Sequence, residues 1–365
     1  MEKMIPVYRP RLAGNEKLYV NECLDSTWIS SRGQFIERFE AAFEDYTGAA
    51  HAISVSNGTV AIHLALVALG IGPGDEVIVP SLTYVASVNC ILQCGALPVY
   101  VDSCAATWQI DVDDIESKIT PRTKAIMAVH LYGLPCDMET LVKICRKHGL
   151  LLIEDCAEAF GSHYREQHVG TFGDAATFSF FGNKTITTGE GGMVVIKDRE
   201  IAARSRRLKS QGVSPTREYW HDMLAFNYRM TNICAAIGLA QLEQADEIIR
   251  CKRDVADRYR EALRDLPLDF HDEVAGTVHS FWMCSVAVRN AADREPMREH
   301  MANLGIETRP VFYPSHFLPH LRQELSLPNA EDISSRGLNL PSFPDLTPAQ
   351  IEAVTDRMRT YFDRL

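Results

Sequence analysis

Ala175-Ala176-Thr177-Phe178-Ser179-Phe180-Phe181-Gly182-Asn183-Lys184, followed by Thr187-Thr188-Gly189-Glu190-Gly191-Gly192, is the stretch around which this chain is organised. A strand-like apolar and aromatic run carries one lysine at its end, with glycines and small hydroxyl residues just beyond. Burial penalises the ammonium form, so a lysine held against apolar surroundings can act as a neutral amine nucleophile. Such an amine condenses with carbonyl compounds. A lone lysine at a strand end is also an ordinary surface residue. The case for chemistry therefore rests on what the chain places around Lys184.

N-terminal to that stretch, short apolar runs at 52–55, 76–79, 97–101, 124–129 and 150–153 alternate with helical spacing at 60–69, 85–92, 112–119 and 138–147. This alternation is the pattern of βαβ units in a mainly parallel sheet covered by helices. Ligands in such sheets bind beyond the carboxyl ends of the strands. The first run ends in Ser56-Asn57-Gly58-Thr59 and passes into a helix. Its glycine allows close backbone approach, and free first-turn amides favour a phosphate, although an ordinary capped helix start has the same form. The second run leads to Pro80-Ser81-Leu82-Thr83-Tyr84, where an aromatic face can cover a flat ring or pack into a core. The fifth ends in Ile153-Glu154-Asp155-Cys156-Ala157-Glu158. A carboxylate there can pair with a pyridinium nitrogen or serve as a helix cap, and Glu158 reaches the same area.

The flanking segments complete the outline. Residues 15–24 and 35–43 have helical spacing, and the polar 25–33 segment between them reads as a loop carrying Trp28, a core, interface or ligand-contact residue. Past Lys184 come a strand at 191–196, a basic helix at 199–209, the triplet Asn227-Tyr228-Arg229 and one long helix over 232–266. A polar loop at 267–277, a strand at 280–288 and a helix at 294–304 precede Thr308-Arg309-Pro310-Val311-Phe312-Tyr313-Pro314-Ser315-His316. A last helix begins near Thr347-Pro348. The expected division is 1–245 for a large domain and 246–365 for a smaller one.

At 365 residues with 46% hydrophobic content, one large and one smaller domain is the expected build. The net charge of −11 argues against general nucleic-acid binding. Ten cysteines without a CxxC pair fit reduced thiols in a cytoplasmic protein. No run has the length needed to span a bilayer, and Met1-Glu2-Lys3-Met4-Ile5-Pro6 lacks the apolar core of a signal peptide. No metal is expected.

Phosphate cradle, ring-covering aromatic, ring-nitrogen carboxylate and lysine amine thus fall at strand or loop ends. Their order is the one required by a pyridoxal 5'-phosphate enzyme of the aspartate aminotransferase fold (fold type I). That fold is α/β: a large domain with a mainly parallel sheet flanked by helices, and a smaller C-terminal α+β domain. The chain also resembles the DegT/DnrJ/EryC1/StrS sugar aminotransferases over nearly its whole length. The matching motifs are Ser56-Asn57-Gly58-Thr59, residues 80–84, residues 154–158, residues 179–184 with Gly189-Glu190-Gly191-Gly192, and Asn227-Tyr228-Arg229-Met230.

The resemblance implies roles for individual residues. Lys184 is similar to the lysine that holds the cofactor and then moves the proton, and Asp155 to the partner of the pyridine nitrogen. Tyr84 resembles the stacking aromatic. Gly58, Thr59 and Ser179 resemble phosphate ligands, with Ser56 and Asn57 in the same cradle. Asn227 resembles a residue that reaches the phosphate of a neighbouring subunit, which implies a homodimer with shared active sites and leaves a higher oligomer open. Glu158 departs from the common family pattern, which has glutamine facing the cofactor hydroxyl. The glutamate resembles the branch that aminates C4 of GDP-4-keto-6-deoxymannose with L-glutamate as donor. The stretches at 14–17, 25–33, 130–133 and 305–313 also look like that branch. Trp28, Arg309, Tyr313 and His316 are the candidate substrate contacts, with loop packing the alternative for the last three. A related 3-dehydratase has histidine in place of the lysine, which Lys184 argues against. An aminotransferase for a UDP- or dTDP-linked sugar, or for C3, remains open. A non-catalytic binding protein of the same fold would be expected to lack Lys184 or Asp155.

Overall fold

A computed structural model describes residues 4–364. Met1, Glu2 and Lys3 of the N-terminal stretch, and Leu365 at the end of the expected second domain, lie outside the described residues. In chain order the first strands are β1 (Ala52–Val55), β2 (Glu76–Pro80), β3 (Leu97–Val101), β4 (Thr123–Val129) and β5 (Leu151–Asp155). A short hairpin of β6 (His163–Tyr164) and β7 (Gln167–His168) follows, then β8 (Ala175–Ser179) and β9 (Gly192–Ile196). Seven of these form one sheet in the order β1-β9-β8-β5-β4-β2-β3. β9 is antiparallel to both neighbours and the other six run in one direction. The mainly parallel expectation holds. The exception arises because the Phe180–Gly191 turn that carries Lys184 sends the chain straight back along β8, with Phe180 N donating to Gly191 O at 2.8 Å.

Helices cover both faces of the sheet, which is why its strands are apolar on both sides. Along β8, Ala176, Phe178 and the following Phe180 pack with Phe35, Phe39 and Phe43 of α2 (Gln34–Thr47), behind α1 (Glu16–Asp25). Ala175 packs on the opposite face with Ala61, Leu64 and Ala65 of α3 (Gly58–Ala68). The Phe43 and Phe178 rings meet edge-on at 5.0 Å, and burying each side chain contributes about 1.5–3 kcal/mol. The remaining helices before residue 245 are α4 (Val85–Gln93), α5 (Val112–Lys118), α6 (Met138–His148), α7 (Arg199–Leu208) and α8 (Asn232–Leu242).

The single long helix expected over 232–266 is two. α8 ends at Leu242 and α9 spans Ala245–Leu263, with Gln244 between them at φ −108° and ψ 7°. The first half of α9 contributes Ala245, Ile248 and Ile249 to the core beneath α2, and its second half contributes Val255, Ala256, Tyr259 and Leu263 to another core. That second core lies on a four-stranded antiparallel sheet ordered β10-β12-β14-β13, built from β10 (Leu268–Phe270), β12 (Cys284–Val288), β13 (Arg309–Pro310) and β14 (Gly337–Leu340). β11 (Thr277–Val278) instead pairs with β6. α10 (Arg294–Asn303), α11 (Pro328–Arg336) and α12 (Pro348–Phe362) complete the C-terminal unit. The polar 267–277 segment therefore holds β10, in which Leu268 is buried and Phe270 half-buried against this core while Asp269 between them is exposed.

The N-terminal segment departs from the expected 1–245 grouping. Ile5 N donates to Gly305 O at 2.9 Å, Glu307 N donates to Ile5 O at 2.9 Å, and Ser342 N donates to Val7 O at 3.0 Å. Residues 5–7 thus run beside the C-terminal unit before the chain enters the large sheet. No helix among the described residues is long and apolar enough to cross a membrane.

Candidate active site

The carboxyl ends of β1, β2, β4, β5 and β8 open on one side, and the start of β9 lies there too. Lys184 sits on that side in the turn after β8, where its N–H donates to Phe181 O at 2.9 Å. Its main-chain oxygen accepts from Tyr8 Oη at 2.6 Å. Its Nζ stands 3.8 Å from the centroid of the Trp282 ring, and the Trp282 Nε1–H donates to the neighbouring Asn183 O at 2.7 Å. Burial lowers the amine's pKa, while the charges of Glu158 and Asp155 act in the opposite direction. Lys184 as a residue is half-buried, so its amine loses part of the water that would otherwise hold it as ammonium.

Asp155 terminates β5, and its two oxygens have different partners. Oδ2 accepts from Ser87 Oγ at 2.7 Å and Oδ1 accepts from Ala157 N at 3.0 Å. Ser87 stands on the buried face of α4, 3.1 Å from Thr83 Oγ1. Glu158 is buried and accepts from Tyr132 N at 2.7 Å. Burial raises its carboxyl pKa, and Lys184 opposes that rise. Glu154 is held away from this group. Its carboxylate takes N–H bonds from Gly170, Phe172 and Gly173 at 2.7, 2.9 and 2.8 Å, and lies 3.2 Å from His130 Nε2. His130, Glu154 and Cys156 bring ligand-type atoms within 4.8 Å of one another, yet Glu154 already has four donors. That set is a structural knot under β4 and β5.

Asn57 caps α3, its Oδ1 accepting from Val60 N at 3.0 Å. The N–H groups of Gly58 and Thr59 open the same turn and have no carbonyl one turn back within the helix. Gly58 presses against β8: a Cβ there would stand 2.7 Å from Ser179 Cβ. That contact joins the two halves of the expected cradle, and Ser56 N is fixed by Tyr228 O at 2.9 Å. Tyr84, 56% exposed at the start of α4, faces Phe312 at 5.6 Å between centroids. Phe312 stacks on Tyr132 at 5.2 Å, and Tyr132 stacks on Trp282 at 5.9 Å. An aromatic file therefore runs from Tyr84 to the Lys184 amine.

Other expected contacts are engaged elsewhere. Trp28 is exposed and its carbonyl accepts from Asn232 Nδ2 at 2.7 Å. The exposed Asn227 accepts from Arg229 Nε at 2.9 Å. Arg309 is paired with Glu307 at 3.0 Å, and Tyr313 is exposed. His316 is buried, with Nδ1 2.7 Å from Ser81 Oγ, the arrangement of a packing residue under the loop after β2. Sequence reasoning missed Ser87, Tyr132, Trp282 and Tyr8. Ser87 carried a signal, a hydroxyl on an otherwise apolar helix face, and Tyr132 lay in the 130–133 stretch of the resemblance without a role of its own.

The family model described as "DegT/DnrJ/EryC1/StrS aminotransferase family" matches residues 10–359. The chain belongs to this family. It is 56% identical to the GDP-perosamine synthase of Escherichia coli O157:H7, over 99% of both chains. It is 52% identical to the GDP-perosamine synthase of Vibrio cholerae, over 99% of this chain and all of the other. A solved structure of a putative sugar aminotransferase from Streptococcus pneumoniae in its PLP form superposes with a TM-score of 0.94 at 27% identity, covering 99% of each chain. Pyridoxal 5'-phosphate is the cofactor of this aminotransferase, and the residues fit it. Lys184 would hold the aldehyde carbon, Asp155 the ring nitrogen, and the Gly58–Ser179 cradle the phosphate. When bound, the cofactor supplies a carbonyl for amine exchange and a ring that accepts electrons.

Proposed function

We propose that the protein transfers the amino group of L-glutamate to C4 of GDP-4-keto-6-deoxymannose, giving GDP-perosamine. The observation that carries the substrate is the 56% identity to a GDP-perosamine synthase across 99% of both chains, with Lys184 in place. The chain's own groups support the chemistry. Asp155, clamped by Ser87 and Ala157, is positioned to keep a ring nitrogen protonated. Lys184, lowered in pKa, faces Glu158, raised in pKa. An acid and a base brought towards each other exchange a proton at small cost. Lys184 would therefore move a proton from the donor carbon to the cofactor's carbonyl carbon in one half-reaction, and from that carbon to the acceptor carbon in the other. The Trp282 face covers one side of that amine.

The same reading makes the protein a cytoplasmic homodimer in which Asn227 and Trp28, both exposed on the single chain, meet the partner subunit's site. Trp28, Arg309 and Tyr313 are the proposed substrate contacts, and His316 supports the loop that carries them. Absorbance of the cofactor-loaded protein tests the substrate. L-glutamate should bleach the lysine-linked cofactor band, and GDP-4-keto-6-deoxymannose alone should restore it. Restoration only by a UDP- or dTDP-linked keto sugar would overturn the sugar assignment and leave the aminotransferase standing. A sedimentation mass equal to one chain would overturn the dimer.

A further inference from the structure

Lys252 is a fully buried lysine on α9, at the point where that helix passes from the large-domain core to the small-domain core. A buried ammonium is costly unless it is paired. Its hydrogen bonds go to two main-chain carbonyls, Ser342 O at 2.7 Å and Trp282 O at 3.1 Å, and its Nζ lies 5.0 Å from the Tyr8 ring centroid. Two of those three neighbours are the residues that hold Lys184. The Trp282 indole lies under the Lys184 Nζ and bonds Asn183 O, and Tyr8 Oη bonds Lys184 O. Burial brings the Lys252 pKa down to about 8, so its three donors remain largely in place at neutral pH.

We propose that Lys252 is a positioning residue, fixing Trp282 and Tyr8 so that they hold the Lys184 amine in its oriented, partly desolvated place. The inference rests on the aminotransferase reading for the importance of Lys184, but its geometry does not depend on which sugar is used. Lys252 makes the small domain and the N-terminal segment part of the active site. Trp282 arrives from the small domain and Tyr8 from the chain start, and a single ammonium ties both to α9. The hydrogen bonds cost Lys252 its hydration, and in return the lysine turn is held from two sides.

The test uses cofactor-free full-length protein, in which the pH dependence of amine acylation at Lys184 is followed by peptide mass spectrometry. Exposed Lys143 serves as the internal standard. Lys252→Met removes the donors, and Lys252→Gln retains N–H groups without charge. In Lys252→Met the midpoint of Lys184 acylation should rise by about one pH unit, tenfold in proton affinity, because water reaches the amine once Trp282 and Tyr8 loosen. Lys143 should not change. In the loaded protein kcat should fall roughly tenfold, while KM for the nucleotide sugar stays within about twofold. Trp282→Leu, which leaves both carbonyl bonds of Lys252 available, should shift Lys184 in the same direction. A Lys184 midpoint unchanged in a folded Lys252 variant overturns the proposal. Failure of both Lys252 variants to fold also overturns it, by making Lys252 a folding residue. Failure of the sugar assignment would leave the acylation shift intact, so the two ideas fail separately.

Discussion

The main-chain N–H of Tyr132 donates to Glu158 Oε2 across 2.7 Å, from a backbone turned into the left-handed region at φ 56°. A non-glycine residue there costs about 1–3 kcal/mol and persists where its surroundings over-determine it. Glu158 holds it from one side, and the Tyr132 hydroxyl, accepting from Phe312 N at 2.9 Å, holds it from the other. Glu158→Ala leaves a buried N–H without an acceptor and should lose about 1–3 kcal/mol of stability. Glu158→Gln keeps an oxygen acceptor of the same reach and should recover most of it. Thermal unfolding of the two variants decides; equal losses would contradict the role of the hydrogen bond.

In the proposed site Ser87 would act on the cofactor through Asp155. Removing its hydroxyl in Ser87→Ala leaves the carboxylate with the Ala157 N–H. A hydrogen bond to a charged group contributes about 1.5–3 kcal/mol, so cofactor affinity should fall roughly tenfold or more. Equilibrium dialysis measures this, and unaltered affinity would remove Ser87 from the site.

Gly58→Ala puts a methyl group 2.7 Å from Ser179 Cβ. Neither α3 nor β8 can yield freely, so the cradle should widen at a cost of about 1–3 kcal/mol. Cofactor binding should weaken with it. Gly182→Ala is the control, because a Cβ there meets no atom within 4 Å. Calorimetry of both variants with and without cofactor separates the local effect from a general one.

Lys184→Ala should keep the fold and still bind cofactor through Asp155 and the cradle, while turnover drops by at least about 10²–10⁴. Coupled assay of 2-oxoglutarate release measures it. Appreciable turnover would sink the assignment of Lys184.

His271 is buried, stacked on Trp108 at 4.7 Å, and donates from Nε2 to Thr107 O at 2.8 Å. Burial brings its pKa down to about 4. The folded protein therefore resists the proton that the unfolded chain accepts below about pH 6.5. Its contribution to stability is complete above that value and is lost as pH falls towards 4. At about pH 5 the penalty is about 2 kcal/mol. His271→Gln should be less stable than the parent at about pH 7.5 yet lose less on acidification to about pH 5. Parallel loss of melting temperature in both proteins would contradict this.

The strand ends bearing Ser56–Thr59, Tyr84, Asp155, Glu158 and Ser179–Lys184 were legible because βαβ alternation is a local pattern with a fixed rule for where ligands bind. The division of the 232–266 stretch into two helices was not, since both halves have helical spacing and the break at Gln244 serves two different cores. His316 shows the same limit. A histidine in a proline-bound loop looks available in sequence, and only packing against Ser81 turned it inward.

By itself the sequence determined the fold class, through its βαβ alternation, and the family, through the motifs by which the chain resembles it, with Lys184 and Asp155 as the expected amine and carboxylate. The tertiary structure alone decided what surrounds the lysine. Tyr8, Ser87, Tyr132, Lys252 and Trp282 come from five distant segments, and no pattern along the chain links them. Their contacts exist only once burial brings α4, α9, the C-terminal segment and the N-terminal segment to the same edge of the sheet, where a buried donor left without an acceptor is costly.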